Sequence, residues 1–265
     1  MTQFAFLRTG VTPWRGTLTE PMIIFMIFRA ANSFKTLFPH VCMLCEQNCR
    51  PDSNMDLCEY CRDALPWIRH ACHRCGEPLP MEAIAARICL TCARNPPPFE
   101  RTIAPLRLES YPRHWVHRLK YSSGLAEGRL LGTLLADHLS KTYRSEELPD
   151  YLIPVPLRWT RLAVRGQNQA VIVALPIKRA LHIPLLRTAM VRTGHVASQQ
   201  KLSRHARLKN LSRAFVTKVE FSGETVAVVD DVMTTGATAA AVASKLLEAG
   251  AGSVHIWCPT RTLLN

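Results

Sequence analysis

The chain has 265 residues, 48% of them apolar, and a net charge of +13. That is enough for one sizeable core plus a small appended module, and it excludes a wholly disordered chain. The longest apolar run, MIIFMIF at 22–28, is far too short to cross a bilayer and lacks the flanks of a secretory signal, so a cytoplasmic protein with no membrane insertion is expected.

Residues 1–40 carry no motif and read as a disordered extension. Nine of the ten cysteines then fall between Cys42 and Cys92, eight of them in Cys-x-x-Cys pairs: Cys42/Cys45, Cys58/Cys61, Cys72/Cys75 and Cys89/Cys92, separated by 12, 10 and 13 residues. A two-residue spacer lets both thiolates of a pair face one ion from a tight turn, and two pairs complete the tetrahedron Zn²⁺ prefers. Residues 41–95 therefore read as a double zinc ribbon with two structural Zn²⁺ sites. Four thiolates per ion leave no open position for water, which argues against catalytic zinc. Spacing leaves open whether the pairs combine in sequence order or interleave, and whether Cys49, His70 or His73 replaces a ligand. Three consecutive prolines at 96–98 then mark a boundary.

From residue 100 onward the pattern alternates. RTIAPLRLES at 101–110 reads as a strand. EGRLLGTLLADHLSKTY, 127–143, places Leu130, Leu131, Leu134, Leu135 and Leu139 on one helical face. YLIPVP, 151–156, is a buried strand, and NQAVIVALPIKRAL, 168–181, is a helix expected to break near Pro176. IPLLRTAMVRT, 183–193, is strand-like. TVAVVD, 225–230, is the short β-branched run of a parallel strand buried on both faces. Ala239, Val242, Ala243, Leu246 and Leu247 define a helix ending at Gly250, and SVHIWCPT is the last strand. Strand and helix in alternation predict an α/β domain over 100–265 with a doubly wound, mostly parallel sheet.

The segment VAVVDDVMTTGATAA, 226–240, occupies a strand's C-terminal end, the loop after it and the first turn of a helix, where ligands bind in open α/β sheets. Free N–H groups and a glycine permitting close approach suit a phosphate, and Thr234, Thr235 and Thr238 add hydroxyls. Two carboxylates upstream suit the hydroxyls of a ribose, or Mg²⁺ held with a pyrophosphate.

At these residues the chain resembles the type I phosphoribosyltransferases. The resemblance implies that Asp230 and Asp231 contact ribose hydroxyls while Thr234, Thr235, Gly236, Ala237 and Thr238 hold the 5′-phosphate of phosphoribosyl pyrophosphate or a related ribose phosphate, with Mg²⁺. HRLKY at 117–121, IPVPLRWTRLAVRGQNQA at 153–170, QQKLSRHARLKNLSRAF at 199–215 and the cysteine pairs are together similar to the ComF family of competence and DNA-utilisation proteins, including its GntX-like members. Gln167 stands where that family's RGFNQ motif carries an aromatic residue.

Between Asp150 and Glu220 there is no acidic residue but 13 Lys and Arg; the rest of the chain balances, 20 basic against 20 acidic. Arg158, Arg161 and Arg165 suit a pyrophosphate. Lys201, Arg204, Arg207, Lys209 and Arg213 suit either a pyrophosphate or a nucleic-acid backbone. The family resemblance implies a role in DNA uptake or utilisation, with single-stranded DNA or competence-machinery proteins as partners. The alternative is an active phosphoribosyltransferase transferring phosphoribose to an acceptor such as a nucleobase. His117 and Lys120 are the candidates for proton transfer.

Overall fold

The computed structural model of the protein describes residues 40–50, 53, 55–122, 124–193 and 211–263. The chain divides into two compact units, Met1–Cys58 and Glu59–Asn265. The extension expected over residues 1–40 lies, but for His40, outside the described residues.

In the first unit the chain folds back on itself around Cys42. Val41 bridges Asn48 in antiparallel fashion, Cys42 N donates to Gln47 O at 2.9 Å, and Glu46 N donates to Cys42 O at 2.9 Å. Glu46 takes a positive φ of 59° to close this turn. His40 Nδ1 and Asp56 Oδ1 are hydrogen-bonded at its base.

The second unit opens with a repeat of that design. Ala71 bridges Pro78, Cys72 N donates to Glu77 O at 2.7 Å, and Gly76 N donates to Cys72 O at 2.8 Å. Gly76, at φ 71°, supplies without steric cost the left-handed residue that Glu46 supplies under strain. Short helices α1 (Glu59–Asp63) and α2 (Leu90–Arg94) each bury one cysteine, Cys61 and Cys92.

The sheet follows. Strands β1 (Arg101–Ile103) and β2 (Leu106–Arg107) precede helices α3 (Ser110–Tyr121) and α4 (Leu125–Thr142). Next come β3 (Tyr151–Pro154), α5 (Trp159–Arg165) and α6 (Gln169–Leu181). An antiparallel ribbon, β4 (Met190–Arg192) with β5 (Phe215–Thr217), brackets residues 194–210 in sequence. The chain closes with β6 (Thr225–Val229), β7 (Val232–Met233), α7 (Ala237–Glu248), β8 (Ser253–Trp257) and β9 (Thr260–Arg261).

The main sheet is parallel, in the order β1-β8-β6-β3, and a second parallel sheet has the order β2-β9-β7. Three strands thus stop for two residues and resume with the same neighbours. The interruptions are Ala104-Pro105, Asp230-Asp231 and Cys258-Pro259, and two of them carry a proline that cannot donate to a ladder.

Side chains alternate across a strand. Val226, Val228, Val254 and Ile256 pack with Ala239, Val242, Ala243 and Leu246 of α7, while Ala227, Val229, Leu152 and Trp257, equally buried, point to the other face. There α6 lies against β3 and β6 and runs along α4. Burial on both faces explains why β6 reads as an unbroken apolar run. The expected α/β architecture, doubly wound around a mostly parallel sheet, is the one observed.

The element expectations need some correction. The helix expected to break near Pro176 runs unbroken from Gln169 to Leu181. Pro176 removes one backbone bond there, but it sits in the tightest part of the α4–α6 contact: a Cβ on Gly132 would lie 2.5 Å from Val173 O and 2.9 Å from Pro176 Cγ. Packing along two long helices outweighs one lost bond, for which a penalty of about 3 kcal/mol is typical. The 101–110 segment is two short strands, not one.

Candidate functional site

Two clusters of four cysteines stand out: Cys42, Cys45, Cys58 and Cys61, and Cys72, Cys75, Cys89 and Cys92. Within each, all four sulfurs lie within 4.8 Å of one another. The Cys45–Cys58 and Cys75–Cys89 sulfur separations are both 3.7 Å, which matches the edge of a tetrahedron with the usual Zn–S bond of about 2.3 Å. None of the ten cysteines is in a disulfide. The pairs therefore combine in sequence order, and Cys49, His70 and His73 stand outside both clusters. In each cluster one sulfur is prepared as thiolate. Burial opposes ionisation of Cys42, but the N–H groups of Cys58, Cys45 and Leu44 hold its pKa down to about 6. Cys72, bonded by the Cys75 thiol and by backbone N–H groups including that of Cys89 at 3.3 Å, is held at about 4 against its burial. These donor sets fit two closed structural zinc sites, in which four thiolates saturate each ion and leave it no catalytic position.

The second site sits at the rim of the sheet, where β6 gives way to Asp230 and Asp231. Asp230 N continues the ladder to Trp257 O at 3.1 Å, and Asp230 Oδ1 accepts from Asp231 N at 2.9 Å. Thr260 Oγ1 donates to Asp231 O at 3.1 Å, tying this interruption to the one in the neighbouring strand. Burial, and then the adjoining Asp231 carboxylate, push the Asp230 carboxyl well above the ordinary range; the Lys120 ammonium works in the opposite sense. Lys120, on the last turn of α3, reaches Asp231 Oδ2 at 2.9 Å.

Beyond β7 the loop exposes Thr234 and Thr235 to solvent. Gly236 takes φ 78° at the N-cap of α7; Ala237 N donates to Thr235 Oγ1 at 3.4 Å, and the N–H groups of Thr238 and Ala239 have no acceptor within the helix. A small open pocket here is lined by Val155, Asp230, Met233, Thr234, Thr238 and Cys258, among others. The arrangement offers oxygen acceptors on one side and N–H and hydroxyl donors on the other.

The basic residues divide. Arg158 and Arg161 lie close enough to Arg192 to depress its pKa further after burial has done so, and Asp230 opposes them. Arg192, on β4 with its guanidinium 5.2 Å from the Phe215 ring centroid, was not singled out from the sequence; only its place in the basic run pointed to it. Its Nε is buried with no hydrogen-bond partner among the described residues. Arg165 instead donates from Nη1 to Gln169 Oε1 at 3.1 Å and lies over the Tyr121 ring at 5.4 Å. Arg213 is exposed beside β5, while Lys201, Arg204, Arg207 and Lys209 lie outside the described residues.

The RGQNQ segment forms a bracket: Gly166 ends α5 in the left-handed region, and Asn168 caps α6 by accepting from Ala170 N while donating to Val155 O, both at 3.0 Å. Gln169 is buried and donates to Leu119 O at 3.3 Å.

Residues 33–93 match the double zinc ribbon domain family. DNA utilization protein YhgH of Shigella flexneri is 33% identical over 227 residues, covering 85% of this chain and 98% of the relative. The chain belongs to the ComF family. Other ComF-family relatives include competence protein F of Haemophilus influenzae, 31% identical over 82% of this chain and 94% of its own, and competence protein ComFC of Bacillus subtilis, 26% identical over 79% and 90%. A purine phosphoribosyltransferase structure from Pyrococcus horikoshii aligns over 47% of this ComF-family chain and 69% of its own, at 21% identity and a TM-score of 0.30. No helix among the described residues is long and apolar enough to cross a membrane.

Proposed function

We propose that this ComF-family chain is a cytoplasmic protein of DNA uptake or utilisation whose 230–238 segment binds the ribose 5-phosphate portion of phosphoribosyl pyrophosphate. The observation that carries the reading is the pairing of Asp230 and Asp231 at a strand end with a loop whose Gly236, at φ 78°, opens the N-terminus of α7. In it, Asp230 and Asp231 take the ribose hydroxyls and Thr234, Thr235, Gly236, Ala237 and Thr238 hold the 5′-phosphate. Mg²⁺ would be held with the pyrophosphate beside Asp230 and Asp231, and the remaining phosphate charge would meet Arg158, Arg161 and Arg192. The names of the relatives support the DNA-utilisation half of the proposal, and the acid-free stretch between Asp150 and Glu220 supplies the charge that single-stranded DNA requires.

Calorimetry with phosphoribosyl pyrophosphate, with and without Mg²⁺, tests the site. Binding should tighten with Mg²⁺ and fall at least tenfold in the Asp230→Asn/Asp231→Asn variant. Equal affinity in wild type and variant would remove the site.

A further inference from the structure

The segments HRLKY, 117–121, and RGQNQ, 165–169, lie far apart in the chain but act on each other in the fold, and between them they fix one side chain, Lys120. Arg118 pairs with Glu127 of α4, a carboxylate only 6% exposed. Leu119 is buried, and its carbonyl accepts from Gln169 Nε2 at 3.3 Å. That carbonyl belongs to the last turn of α3, where a helix has no further N–H groups to offer. The Arg165 guanidinium donates to Gln169 Oε1 at 3.1 Å and covers the Tyr121 ring at 5.4 Å. Gln169 is 2% exposed, and a buried amide is costly unless its polar groups are bonded. Here both ends of it serve the residues that flank Lys120.

From this clamp Lys120 reaches the sheet rim, where its Nζ lies 2.9 Å from Asp231 Oδ2. Oδ2 is buried and has no other hydrogen-bond partner among the described residues. The ammonium therefore anchors the inner oxygen of the carboxylate. With one oxygen held, the rotation of the carboxylate is fixed, and the direction of Oδ1 is set before any ligand arrives. The same positive charge offsets the repulsion between two adjacent carboxyl groups. An acceptor oriented in advance binds a hydroxyl more tightly than a free one, because less ordering remains to be done on binding.

We infer that Lys120, held by Gln169, is a positioning residue that aims Asp231 at the sugar hydroxyls and so gives the site its preference for ribose. The inference rests on the ribose-phosphate reading above and deepens it.

Calorimetry on the full chain in Mg²⁺-free buffer, with ribose 5-phosphate and with 2,3-dideoxyribose 5-phosphate, tests it. Wild type should prefer ribose 5-phosphate by at least about tenfold. In Lys120→Met that preference should fall by at least about tenfold, through weaker binding of ribose 5-phosphate alone. Lys120→Arg should keep it within about threefold of wild type, and Gln169→Met should lower it in the same direction as Lys120→Met. Unchanged zinc content and far-ultraviolet dichroism establish that the variants are folded. An undiminished preference in Lys120→Met overturns the inference. An equal loss for both sugars also overturns it, because Lys120 would then meet the phosphate that they share. A Gln169→Met variant identical to wild type overturns the part given to Gln169. Wild type binding both sugars equally removes the inference but leaves the phosphate half of the site, whereas wild type binding neither removes the ribose-phosphate reading itself.

Discussion

Lys120 Nζ lies 2.9 Å from Asp231 Oδ2, joining the last turn of α3 to the carboxylate pair at the sheet rim. Both groups are mostly buried, and this ammonium is the cation that opposes the upward pressure on Asp230. Removing one partner of such a pair strands the other in a poorly solvated place. Lys120→Met and Asp231→Asn should each destabilise the fold by about 1–3 kcal/mol. The double variant should cost less than the sum, with a coupling of about 1 kcal/mol or more. Denaturant unfolding of the four proteins measures it, and strict additivity would mean the contact is unimportant.

The second ribbon bears on the sheet through Glu77, two residues past a zinc ligand. Arg261 of β9 is 1% exposed and donates from Nε to Glu77 Oε2 at 2.8 Å, with Nη2 at 2.6 Å from the same oxygen. Glu77→Gln should lower stability by about 3 kcal/mol, because a buried guanidinium loses its counter-charge. Metal analysis should still return two zinc ions per chain, since no sulfur changes. A variant as stable as wild type would show that Arg261 finds compensation elsewhere.

Gly132 sets the α4–α6 separation. A side chain has no room at this position: an added Cβ would lie 2.5 Å from Val173 O, a backbone atom that cannot swing away. Gly132→Ala should therefore destabilise by about 1–3 kcal/mol, although alanine favours a helix over glycine by about 1 kcal/mol. A stabilised variant, read as a rise in Tm, would contradict the close approach.

Acid should weaken the fold through His255. Its ring is buried, its Nδ1 is hydrogen-bonded with Tyr143 OH at 3.0 Å, and Trp257 Nε1 donates to Tyr143 OH at 3.1 Å. Burial holds the His255 pKa at about 4, against an ordinary 6.5. The unfolded chain thus binds the proton first, so the contribution is present in full above pH 6.5 and disappears as pH falls toward 4. Stability should drop by about 2 kcal/mol between pH 7 and pH 5 from this group. A nuclear magnetic resonance titration placing His255 near 6.5 would remove the expectation.

Features written in short windows were legible before the structure. Paired cysteines with two residues between them declare metal ligation because the chelate is local, and the β-branched run of β6 declares a strand buried on both faces. Contacts across long separations left no such mark: nothing near Lys120 names Asp231, and nothing near Arg192 names Arg158. Helix α5 was missed because none of its residues is buried, so it has no apolar period to read. Helix α3 buries only Pro112, Trp115, Val116 and Leu119 among twelve residues. Pro176 misled because the rule that proline breaks helices is a local one, while the offsetting contact with Gly132 comes from another helix.

The order β1-β8-β6-β3 also fixes the sequence of events during synthesis. β8, which emerges after every other strand of the main sheet, is the strand that β1 pairs with across more than 150 residues. Until then β1 has no neighbour in the sheet and β6 keeps one bare edge. Contacts so distant along the chain make for slow closure, and unpaired edges invite association with other chains. A nascent chain halted before Ser253 is therefore the form of this protein most exposed to aggregation.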